Sequence, residues 1–155
     1  MIMNVLKIIL LCIFCAGVNI CTAQQPISSC KMSYEELLGR MNARDYDGFI
    51  EFVRCRNRYD GGDSEDLYRT SGLYLEINPE RYLEVLKNSN VTKREMESFL
   101  LMLPLSTVDN IDLKKAEINK RINLLLLVRD SELKIRALEI LKNELVFFET
   151  IKSLN

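Results

Sequence analysis

The chain has 155 residues, sets 21 Lys and Arg against 22 Asp and Glu for a formal net charge of −1, and contains neither histidine nor tryptophan. Without histidine there is no Ser-His-Asp or Cys-His nucleophile, no histidine-ligated zinc and no histidine general base. The two charge signs interleave along the chain and leave no basic patch of the kind nucleic-acid binding requires.

Met1 to Ala23 reads as a secretory signal peptide. One cation, Lys7, precedes an apolar run from Ile8 to Ile20 that falls short of the roughly 20 residues a membrane span needs. Cys21-Thr22-Ala23 ends in small residues and places the cut before Gln24. A lipid anchor on cysteine fits less well, because Phe14 precedes Cys15 and Ile20 precedes Cys21 where a small residue is wanted. The expected product is therefore exported, to a periplasmic or extracellular space and most readily from a bacterium. It comprises an N-terminal tether over 24–32 and one domain over 33–155, with no further apolar run long enough to span a membrane. Cys30 and Cys55 are the cysteines outside the signal, and an oxidising compartment favours a bond between them. The competing reading is two separate buried thiols.

Beyond the tether, Ser33-Tyr-Glu-Glu36 is a capping box that opens a first helix, Tyr34 to Ala43, with Leu37, Leu38 and Met41 inward. Asp45 or Asp47 caps a second, whose Tyr46, Phe49, Ile50 and Val53 share a face with Phe52 beside them; it ends near Arg58. A third runs from Ser64 to Glu76 and turns Leu67, Tyr68, Ser71, Tyr74 and Leu75 inward. Asn78-Pro79 caps a fourth carrying Tyr82, Leu83, Val85 and Leu86. Thr92-Lys-Arg-Glu95 is a second capping box, for a fifth helix with Met96, Phe99, Leu100 and Leu103 on one side and Pro104 at its end. Asp109 or Asn110 caps a sixth, whose apolar run Leu124 to Val128 suits a central buried helix. Asp130 or Ser131 caps a seventh, with Leu138, Leu141, Leu145 and Phe148 inward and Lys134, Glu139 and Lys142 outward. No stretch alternates as a strand does. The fold class is all-α: a single compact domain of about seven helices packed as helical hairpins. Its pairing is HEAT-like or TPR-like in shape but without a repeated consensus.

The segment Cys55-Arg-Asn-Arg-Tyr-Asp-Gly-Gly-Asp-Ser-Glu-Asp-Leu-Tyr68 concentrates the candidate site residues Arg56, Arg58, Tyr59, Asp60, Asp63, Glu65 and Tyr68. As a calcium loop it matches the EF-hand pattern poorly, since Gly62 falls on a ligand position, Glu65 where glycine is required and Ser71 where the closing glutamate belongs. As a glycosidase site, Asp60, Asp63, Glu65 and Asp66 would supply the two carboxylates that such cleavage needs. As plain architecture, Gly61-Gly62 ends one helix and Asp63 caps the next. Glu65 and Asp66 then meet its dipole, while Arg54, Arg56 and Arg58 close the helix before.

Tyr59, Tyr68, Tyr74 and Tyr82 among arginines suit an interface, or a core lined by rings whose hydroxyls reach its edge. Lys114-Lys115 and Lys120-Arg121 read as solvated faces. The chain has no GxxxxGK[ST] or GxGxxG run and no four-thiolate set, so no cofactor is expected. The expected function is a protein-binding or inhibitor/immunity-type module. The alternatives are a carboxylate-dependent hydrolase of an envelope polymer and calcium binding through Asp60 to Asp66.

Overall fold

The structure is a computed structural model that describes residues 30–154, with side chains through 151. The expected signal peptide over 1–23 and residues 24–29 of the tether lie outside the described residues. Seven α-helices follow one another, with no strand among the described residues: α1 (Tyr34–Asn42), α2 (Tyr46–Cys55), α3 (Gly61–Ile77), α4 (Pro79–Asn88), α5 (Lys93–Leu101), α6 (Ile111–Leu126) and α7 (Glu132–Leu154). Short 3-10 turns at Arg56–Arg58 and Leu105–Thr107 finish two of the connections. None of these helices is long and apolar enough to cross a membrane.

The helix starts follow local chemistry. Ser33 Oγ accepts from the Glu36 amide, Asp45 from the Asp47 amide and Asn78 from the Arg81 amide. Asn110 accepts from the Leu113 amide and Ser131 from that of Lys134. At Thr92 both halves of the capping box are in place. Each bond satisfies an amide that the helix itself leaves without a partner.

The start of α3 departs from expectation. It begins at Gly61 with Asp60 in the cap position, and Asp60 makes no side-chain cap bond. Gly61 takes φ +50°, a left-handed value that glycine adopts without strain. This lets the extended Tyr59-Asp60 backbone enter the helix directly. Asp63 is therefore not a cap but a first-turn residue facing the positive end of the helix dipole.

α3, not α6, is the central helix: it packs against α1, α2, α4, α5 and α6, while α6 pairs mainly with α7. Its neighbours bring an aromatic column to it, with Phe49 stacked on Tyr74 at 4.6 Å and on Tyr82 at 5.3 Å. Phe52, Tyr68 and Phe99 meet edge-on beside that column. On α2 the buried face centres on Phe49, Phe52 and Val53. Ile50, one residue and so about 100° around the helix from Phe49, is 38% exposed.

Two cations expected on solvated faces are buried. Arg121 donates to the Leu100 and Met102 carbonyls at the end of α5 and pairs with Glu117 one turn back. Lys134 donates to the Leu126 and Val128 carbonyls at the end of α6 and to Asp130. Each caps the negative end of a preceding helix, which holds a charge that periodicity alone would turn outward. Lys120 stays half exposed and pairs with Glu76. Glu139 and Lys142 face solvent as expected.

Candidate functional site

The candidate residues between Cys55 and Tyr68 divide among separate tasks. Arg56 turns inward and forms a two-pronged pair with Glu95 at 2.7 and 3.1 Å, and also donates to the Val53 carbonyl at 2.7 Å. That clamp joins the end of α2 to the capping box of α5 and holds the Glu95 carboxyl down at about 2, chiefly through the Arg56 hydrogen bonds. Arg58 donates to the Cys30 carbonyl, and Tyr59 donates its hydroxyl to the Met32 carbonyl. Both fasten the start of the described chain.

Tyr68 packs its ring between Phe52 and Phe99. Glu65 meets Arg69 one turn on at 3.5 Å, while Asp66 accepts from the Tyr34 hydroxyl at 2.9 Å. Asp60 and Asp63 are exposed. No three carboxylates of this loop lie within 4.8 Å of one another.

The other tyrosines serve the core. Tyr74 donates to the carbonyls of Asp45 and Met41 and Tyr82 to that of Phe99. Burial raises both phenols above the ordinary tyrosine value, since the charged form would lose its water.

Cys30 and Cys55 form a disulfide, with Cα atoms 5.7 Å apart. It binds the tether to the last turn of α2, as the cysteine arithmetic anticipated. Beside it lies Glu51, 8% exposed. Its Oε1 accepts from the Lys31 amide at 3.3 Å and sits 3.6 Å from Cys55 Sγ, while Oε2 pairs with Arg54.

A concave surface lies elsewhere, between α4 and the α6–α7 turn. This groove of about 350 Å³ is lined by Leu83, Val128 and Leu133 with Glu80, Glu84, Lys87, Arg129 and Asp130 around them. Large apolar side chains border it in sequence on both sides: Leu126 is 54% exposed, Leu127 83% and Ile135 65%. Glu80, Glu84, Lys87 and Arg129 have no ion-pair partner among the described residues, whereas Asp130 meets the buried Lys134 at 3.0 Å.

The sequence carried two signals of this surface. Glu80, Glu84 and Lys87 fall at the spacing of one helix face. Leu124 to Val128 packs five apolar residues into little more than one turn, more than a single buried face accommodates. Comparison of the chain with protein-family models, with curated proteins and with solved structures finds no match.

Proposed function

We propose that the protein is an exported protein-binding module whose docking surface is the groove between α4 and the α6–α7 turn. Its occupant is an amphipathic helix of a partner protein. The observation that carries this reading is the groove's apolar floor of Leu83, Val128 and Leu133, with the exposed Leu126, Leu127 and Ile135 bordering it in sequence. An apolar floor in a groove rimmed by charged side chains favours a partner that covers it, and a helix laid in a groove does so with residues at three- and four-residue steps.

Charge selects the orientation. Glu80 and Glu84 at one end of the α4 rim favour a basic residue of the partner, while Lys87 and Arg129 favour an acidic one. Export is supported by the apolar segment near the N-terminus and by the Cys30–Cys55 bond, which suits an oxidising compartment. An inhibitor or immunity role belongs to this class, since such proteins act by covering a partner.

Display selection against the wild-type protein, from a library of amphipathic helical peptides, tests the reading. The expected winners place Leu, Ile or Phe at three- and four-residue steps with a basic residue toward one end. They lose binding at least tenfold to Leu127→Asp and to Glu84→Lys, and keep it with the triple variant Asp60→Asn, Asp63→Asn, Glu65→Gln. Winners that depend on the triple variant's residues instead, or no enrichment at all, overturn it.

A further inference from the structure

We infer that the outer face of α7 is a self-association surface, on which two copies of the chain dock antiparallel about a two-fold axis. Ala137, Ile140, Leu141 and Phe148 of α7 are buried. Successive residues of a helix turn about 100°, which sets Ile135, Glu139, Lys142 and Val146 in one stripe about 60° wide, on the side opposite those four. All four stripe residues are exposed, Ile135 at 65% and Val146 at 61%. The last helix of a hairpin stack needs only a polar outer face to meet water, yet this stripe carries an apolar residue at each end. It is a different side of α7 from the groove wall, since Leu133 lies two residues and so about 160° around the helix from Ile135.

The order of the stripe is what selects a second copy. Read from either end, it is apolar, charged, charged, apolar at steps of four, three and four residues. A two-fold axis at the level of residues 140 and 141 sets Ile135 of each copy against Val146 of the other, and Glu139 against Lys142, so every contact occurs twice. Parallel pairing instead opposes Glu139 to Glu139 and Lys142 to Lys142, and is repelled. Glu139 and Lys142 form no ion pair among the described residues, which leaves both charges for the second copy. Polar residues inside a helix–helix seam fix its register at some cost in stability. The same axis brings Glu132 of one copy toward Glu149 of the other, but each already has its own cation, Arg136 at 2.9 Å and Lys115 at 3.5 Å.

From Ile135 to Val146 the stripe runs about 16 Å along the helix. An interface built on it falls at the small end of specific contacts, so the dimer forms reversibly and comes apart on dilution.

Sedimentation velocity of the purified protein, over a dilution series starting near about 1 mM, tests this. The expected result is twice the mass of the chain at the concentrated end and the single chain on dilution. Glu139→Lys and Lys142→Glu each weaken the dimer at least about tenfold, because each sets like charges opposite one another. Mixing those two variants restores it, since a copy with two cations then faces a copy with two acids, and the double variant Glu139→Lys, Lys142→Glu self-associates as wild type does. Circular dichroism checks that every variant remains helical. The inference is overturned by a single chain throughout the series, which gives the stripe to solvent or to a different protein. It is equally overturned by a dimer that both single variants keep, or by single variants that stay apart when mixed.

Discussion

Arg56 and Glu95 show how a surface-coded charge becomes architecture. Both guanidinium donors reach the carboxylate, which also receives the Thr92 amide and hydroxyl. Charge-assisted pairs of this kind contribute about 1.5–3 kcal/mol, so Glu95→Gln is expected to lower unfolding stability by that order in a urea titration. The pH dependence has a definite sign. The Glu95 carboxyl lies at about 2 when folded against an ordinary 4.5. Its contribution is therefore complete above about 4.5 and is lost as pH falls from there through 2. Thermal melts between pH 6 and 2 should fall less steeply in Glu95→Gln than in wild type. A second residue-scale test is Gly72→Ala: a Cβ there would sit 2.5 Å from Nη2 and 3.2 Å from Cζ of the buried Arg121. Arg121 is held by the Leu100 carbonyl at 2.7 Å and cannot swing away without abandoning it. A loss of about 1–3 kcal/mol is expected in the same titration.

The helices illustrate what sequence encodes locally and what it does not. Ser33, Asn78 and Thr92 act within three residues of themselves, so their caps were legible before any fold was known. The exposure of Leu126 and Leu127 was not, because which side of α6 faces the core depends on where α3 and α7 lie. Lys134 was likewise misplaced on the outward side: its stem crosses back over the turn and its ammonium takes the final carbonyls of α6. Lys134→Met keeps the stem and deletes those bonds. It should cost about 1–3 kcal/mol, measured by denaturant unfolding, through carbonyls left without a donor. Leu127→Asp is the contrasting case, since a residue 83% exposed should change stability by no more than about 0.5 kcal/mol.

At the scale of the whole molecule, composition and periodicity were enough for an all-α domain of seven helices and for the Cys30–Cys55 link. The choice between site and architecture at Cys55 to Tyr68 was not open to sequence. It depended on Arg56 finding Glu95, 39 residues away, and on Tyr59 finding Met32. The disulfide spans 25 residues, and opening it should lower stability by roughly 3–4 kcal/mol, seen as a lower denaturant midpoint for Cys30→Ser.

The central claim, that the α4 and α6–α7 groove receives a partner protein, is tested most directly by photo-crosslinking in the native host. A photoreactive amino acid replaces Leu127 in one strain and Asp63 in another. The account predicts a discrete covalent protein adduct from position 127 that disappears with Glu84→Lys, and none from position 63. An adduct from position 63 with none from position 127 would contradict it.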